Sequence, residues 1–122
     1  MRLLCVEDDR VNAMLLEQSC LAAGVSDLQI AETGQEALSL AAAWRPDLLV
    51  LDLHLPDTDG FALLAALRQA LQDPAVPAVL CSADTADALR APAEQAGFQA
   101  LWSKPVSTEE VQATLAVLKR AP

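Results

Sequence analysis

Five short apolar runs punctuate the chain, each followed by a longer stretch in which Ala and Leu recur at helical spacing. Arg2 to Val6, Leu28 to Ala31, Leu48 to Asp52, Ala78 to Cys81 and Phe98 to Ser103 read as strands. The run Leu48-Leu49-Val50-Leu51 has no polar alternation, the pattern of a strand covered on both faces. Between the strands, Arg10 to Ala23 predicts a helix closed by Gly24. Thr33-Gly34-Gln35-Glu36 is a capping box opening a second helix, which Pro46 stops near Trp44. Leu64, Leu67 and Leu71 place a third over Phe61 to Leu71. Ser107-Thr108-Glu109-Glu110 is another capping box, and Val111, Leu115 and Leu118 give the last helix its apolar stripe. The fourth helix, Thr85 to Ala96, contains Pro92, which predicts a break or restart rather than one straight helix. The alternation predicts an α/β fold of five βα units around a parallel sheet, one domain over residues 1–122.

Composition narrows the partners. A formal net charge of -9 argues against direct contact with nucleic acid or an anionic membrane surface. Charged and polar residues interrupt every apolar run before it reaches the length of a membrane span. The opening Met1-Arg2-Leu3-Leu4-Cys5-Val6 reads as a strand and lacks the features of a signal peptide, so the expected location is cytoplasmic. The three cysteines, Cys5, Cys20 and Cys81, sit in apolar stretches without metal-ligand spacing and read as buried free thiols.

The chemistry gathers at the strand ends. Strand one ends in Glu7-Asp8-Asp9, strand three in Asp52, strand four in Ser82 and strand five in Lys104. Each residue alone has a plain structural reading: Asp52 as a strand stop, Glu7 to Asp9 as helix-capping acids, Ser82 as a turn residue, Lys104 as a surface lysine. Four such residues at the carboxyl edge of one sheet carry more weight together, because ligands of open α/β sheets bind at that edge. In the doubly wound strand order 2-1-3-4-5, Glu7, Asp8 and Asp52 converge at the switch point. Three carboxylates repel one another unless cations intervene. Lys104 supplies one positive charge, and a divalent ion supplies the other two. Few carboxylates and hard oxygen ligands favour Mg²⁺. A carboxylate nucleophile, a divalent ion, an ammonium and the Ser82 hydroxyl are what in-line phosphoryl transfer needs.

Over essentially its whole length the chain resembles the receiver domains of two-component response regulators. The resemblance is carried by Val6-Glu7-Asp8-Asp9, by Asp52-Leu53-His54-Leu55-Pro56-Asp57-Thr58-Asp59-Gly60, by Ser82-Ala83 and by Lys104-Pro105. It implies a flavodoxin-like (βα)5 fold, whose sheet order is that of known receivers and so is not a separate expectation. Asp52 is then expected to accept a phosphoryl group from a phosphohistidine on a histidine kinase or a histidine phosphotransfer protein. Asp8 is expected to bind Mg²⁺ directly and Glu7 through water, with Asp52 and the backbone carbonyl of His54 completing the protein's share. Asp9 caps the first helix, Ser82 and Lys104 hold the phosphoryl oxygens, and the peptide bond before Pro105 is cis. No enzymatic turnover is implied beyond self-phosphorylation and autodephosphorylation.

Three departures from the family pattern carry expectations of their own. Leu101 occupies the switch position where receivers carry Tyr or Phe, while strand alternation turns the neighbouring Trp102 to the other face. Pro92 interrupts the fourth helix. His54 and Asp84, each two residues beyond a site residue, are expected to modulate the lifetime of the phosphoryl group. Rival folds fit less well. A haloacid-dehalogenase-type enzyme needs a second Asp where His54 stands. A flavodoxin's phosphate loop is incompatible with Glu7-Asp8-Asp9, and the isolated glycines make no dinucleotide fingerprint. A receiver that works by protein contact without phosphorylation, or one cut from a hybrid histidine kinase, remains the alternative.

Overall fold

A computed structural model describes residues 1–83 and 86–120. Five strands, β1 (Arg2–Val6), β2 (Asp27–Ala31), β3 (Leu48–Asp52), β4 (Ala78–Ser82) and β5 (Ala100–Ser103), alternate with α1 (Arg10–Ala22), α2 (Gly34–Trp44), α3 (Gly60–Leu71), α4 (Ala86–Ala96) and α5 (Thr108–Arg120). The sheet is parallel throughout, in the order β2-β1-β3-β4-β5.

Strand alternation divides the core in two. Leu4, Val6, Leu49, Leu51 and Leu80 face α2, α3 and α4, meeting Ala37, Ala41, Leu64, Leu67 and Ala93. Leu3, Cys5, Leu48, Val50, Val79 and Trp102 face α1 and α5, meeting Leu16, Cys20, Val111 and Leu115. The central strands need apolar side chains on both faces, which is why β3 reads as an unbroken apolar run. Leu101 and Trp102 point to opposite faces: Leu101 packs beside the α4 layer, and Trp102 is buried and donates its Nε1–H to Thr114 Oγ1 at 2.9 Å.

Helix ends follow local chemistry. Asp9, Thr33 and Asp59 each accept a bond from a backbone N–H three residues on, capping α1, α2 and α3. α1 closes at Gly24, whose φ of +100° suits glycine, with Val25 N–H donating back to the Cys20 carbonyl. Phe98 makes the matching bond to the Ala93 carbonyl. It therefore belongs to the end of α4, and β5 begins at Ala100 rather than at Phe98.

Pro92 corrects an expectation. α4 runs without interruption from Ala86 to Ala96 with Pro92 in its interior. The missing donor removes the bond that Ala88 would accept, but Ala88 and Pro92 both lie on the exposed side, where water can serve that carbonyl. Leu89, Ala93 and Ala96 hold the opposite side against the core. Packing of that stripe outweighs the local cost of the proline.

Candidate functional site

Parallel strands of nearly equal length bring their carboxyl ends to one edge. The backbone ladder continues one residue past three of them: Glu7 N–H donates to the Ala31 carbonyl at 2.9 Å, Leu53 N–H to Cys81 at 3.0 Å and Lys104 N–H to Ser82 at 3.1 Å. The expected site residues thus sit on the rigid rim of the sheet. Asp52 is the last residue of β3 and pairs in register with Cys81, and Ser82 ends β4 opposite Ser103. Among the described residues, Glu7, Asp52 and Ser82 are the buried polar ones, at 3%, 6% and 3% exposure. Asp8 is exposed beside them.

Lys104 ties the group together. Its Nζ lies 2.6 Å from Glu7 Oε1 and 2.7 Å from Asp52 Oδ1. Glu7 Oε2 also accepts the Asp9 N–H at 3.2 Å, so the turn that starts α1 orients the same carboxylate. Oxygens of Glu7, Asp8 and Asp52 all come within 4.8 Å of one another. Burial pushes the Glu7 carboxyl above its usual range; Lys104 and the Asp9 N–H draw it back, and the Asp52 charge pushes it further up. Burial opposes a charged Lys104, yet its bonds to Asp52 and Glu7 prevail and hold its pKa above the usual value.

The remaining charge bears on metal binding. Three carboxylates against one ammonium leave a formal charge of about −2 on a cluster in which Glu7 and Asp52 are buried. A hard divalent cation on oxygen donors cancels it, so the donor set fits Mg²⁺. Asp8 is the exposed member and borders an open cleft of about 300 Å³, along with Asn12, His54 and Ser82.

The loop from Leu53 to Gly60 is a tight hairpin. His54 bridges Asp59 in antiparallel fashion, Leu55 N–H donates to the Thr58 carbonyl at 3.2 Å and Gly60 N–H to the Leu53 carbonyl at 3.0 Å. A Cβ on Gly60 would lie 2.7 Å from Leu80 Cδ1 and 2.8 Å from the Asp52 carbonyl oxygen. Only glycine lets α3 start directly against the backbone of Asp52. The His54 side chain is exposed on the cleft rim. Asp84 lies outside the described residues. The Lys104–Pro105 bond is cis, and Leu101 sits half-buried in β5 on the α4 side.

Three features of the site lay beyond sequence reasoning. One is the contact of Gly60 with Asp52, for which an isolated glycine was the signal. Another is Asp57, whose carboxylate accepts the N–H groups of Gly34 and Gln35 at the start of α2. The third is the place of Cys81: the sequence reads it as a buried thiol but not as lying beneath the cluster, where burial holds it far above the usual range despite the opposing pull of Lys104. All three cysteines are free and buried.

Comparison with known proteins gives a consistent picture. The family model of the response regulator receiver domain matches residues 3–116. The chain is 38% identical over 117 residues to the KDP operon transcriptional regulatory protein KdpE of Escherichia coli, covering 96% of this chain and 50% of that protein. It is 35% identical over 120 residues to the response regulator MprA of Mycobacterium avium, covering 98% and 51%. The chain spans about half the length of these curated relatives. Among solved structures, the receiver domain of the Francisella response regulator 1452 superposes with a TM-score of 0.80 at 28% identity, over 96% of this chain and 94% of that one. No helix among the described residues is long and apolar enough to cross a membrane. Strand order, the acidic rim with its bridging lysine and the match over residues 3–116 agree: the chain belongs to the family of response regulator receiver domains.

Proposed function

We propose that this domain is a phosphoacceptor of a two-component phosphorelay, taking a phosphoryl group from a phosphohistidine onto Asp52. The observation that carries the reading is the double ion pair of Lys104 with Glu7 and Asp52 inside a three-carboxylate cluster. A carboxylate oxygen of Asp52 attacks phosphorus in line, the P–N bond breaks, and the imidazole leaves with its electron pair and takes up a proton. Lys104, already on Asp52, follows the transferred charge onto a phosphoryl oxygen, and the Ser82 hydroxyl, at the end of β4, donates to another. Glu7, Asp8, Asp52 and the His54 carbonyl would hold Mg²⁺, which when bound neutralises charge on the phosphoryl oxygens. His54 would border the path of the water that later hydrolyses the acyl phosphate, and the modulating role expected of Asp84 rests on its position in the sequence, two residues after Ser82.

The donor, a histidine kinase or a phosphotransfer protein, has to reach Asp52 through the open cleft. Asn12 of α1 lines that cleft, and Val11, Met14, Leu15 and Leu21 are exposed on one face of the same helix, an apolar face suited to a protein partner. The domain would act by protein contact and show no turnover beyond self-phosphorylation and autodephosphorylation.

Acetyl phosphate with Mg²⁺ tests the reading. Wild type should take up one phosphoryl group, read by intact-mass spectrometry, and EDTA or Asp52→Asn should abolish it. Labelling of Asp52→Asn near the wild-type level would refute Asp52 as the acceptor. Absence of labelling in wild type, with partner binding intact, would favour the phosphorylation-independent module.

A further inference from the structure

The hairpin that carries His54 is tied to the start of α2. At its tip, Asp57 accepts the Gly34 N–H on Oδ1 at 2.9 Å and the Gln35 N–H on Oδ2 at 3.0 Å. Thr33 Oγ1 accepts the Glu36 N–H at 3.0 Å, and the Thr33 carbonyl accepts Ala37 N–H at 3.0 Å. All four first donors of α2 are therefore satisfied, two of them by a residue from another loop, 23 and 22 positions away. The partial positive charge of the helix start adds to the hold on a carboxylate, and these bonds keep the Asp57 carboxyl below its usual range.

The seat is shaped as well as bonded. Gly34 is buried, and a Cβ there would lie 2.6 Å from Thr58 Cγ2 and 3.4 Å from both Asp57 oxygens. The loop thus rests directly on the backbone of α2. Behind it, the bridge between His54 and Asp59 and the Gly60–Leu53 bond leave the hairpin little freedom relative to its tip.

We propose that Asp57 is a positioning residue for the metal site: by pinning the hairpin to α2 it fixes the His54 carbonyl, and it couples occupancy of the acidic cleft to the N-terminus of α2. The inference rests on the proposed function in assigning the His54 carbonyl to Mg²⁺. Coupling of this kind is reciprocal. Mg²⁺ must tighten the α2 start if the α2 start tightens Mg²⁺. Because Leu101 lacks an aromatic ring, this link offers a route from the site to the surface that does not pass through β5.

Calorimetric Mg²⁺ titration and amide hydrogen exchange test both directions. Asp57→Ala should weaken Mg²⁺ binding by roughly threefold to tenfold, at or below the low end for partners bonded directly to a metal ligand. Asp57→Asn has the same charge as Asp57→Ala but keeps one acceptor oxygen, and should fall between it and wild type. Gly34→Ala, which pries the loop off α2, should weaken binding in the same direction. In wild type, Mg²⁺ should slow exchange at Gly34 and Gln35; in Asp57→Ala it should leave their exchange unchanged. Equal weakening by Ala and Asn would assign the effect to lost charge and overturn the proposal. Mg²⁺ affinity of Asp57→Ala within twofold of wild type would overturn it too. A wild-type protein that binds no Mg²⁺ would remove both the coupling and the metal assignment of the proposed function, and that failure is visible before any variant is made.

Discussion

Replacing Lys104 by Met should make the stability of this domain depend on divalent metal. The side chain is only 15% exposed, and its Nζ contacts two carboxylates at 2.6 and 2.7 Å. At an effective dielectric near 20, each contact is worth about 6 kcal/mol of Coulomb energy, most of it offset by desolvation. Truncating one member of such a buried group costs about 3–5 kcal/mol. Here the lower end applies, because burial already raises the Glu7 carboxyl above its usual range, which makes proton uptake an easier relief of the repulsion. A loss of about 3 kcal/mol in EDTA is therefore expected from urea unfolding followed by far-UV circular dichroism. Mg²⁺ at a hundred times its Kd adds about 2.7 kcal/mol to wild type. It should add more to Lys104→Met, where no ammonium competes for Glu7 and Asp52, so the gap between the two proteins should narrow. The pH dependence has a definite sign. The Lys104 pKa is raised on folding, so its contribution is complete below 10.5 and disappears as pH climbs through the folded value. Lys104→Met should lack that alkaline loss. A variant as stable as wild type in EDTA, or a gap that Mg²⁺ leaves untouched, would refute the argument that Lys104 and the metal neutralise the same charge.

Two further outcomes are expected. Pro92→Ala should stabilise the domain by about 1–2 kcal/mol, since a helix-interior proline costs about 3 kcal/mol against alanine while its stiffness in the unfolded chain returns about 1; a lower urea midpoint would count against the intact helix across Ala86–Ala96. Leu101 should keep one rotamer with and without the phosphoryl analogue beryllofluoride, because exposing this half-buried leucine forfeits part of the about 1.5–3 kcal/mol that full burial provides; a second set of methyl NMR signals on binding would show that the β5 switch operates with leucine.

Much of the molecule is legible along the chain because its causes are local. Apolar runs buried on both faces, Gly24 after α1, and the caps Asp9 and Thr33 each act within a few residues of where they stand. The rim residues Glu7, Asp8, Asp52, Ser82 and Lys104 were readable for a related reason: in a parallel sheet every strand's carboxyl end reaches the same edge, so topology converts sequence position into proximity. What the sequence could not determine depends on partners distant along the chain. Whether Pro92 breaks α4 is decided by Leu89, Ala93 and Ala96 packing against the sheet, an energy no helix propensity contains. The need for glycine at 60 comes from the Asp52 carbonyl and Leu80, and at 34 from Thr58. Asp57 reads as an ordinary turn acid until folding sets it against the N-terminus of α2. Local periodicity says which face of an element is apolar; only the packed structure says what that face meets, and contacts at close range depend on the identity of both sides.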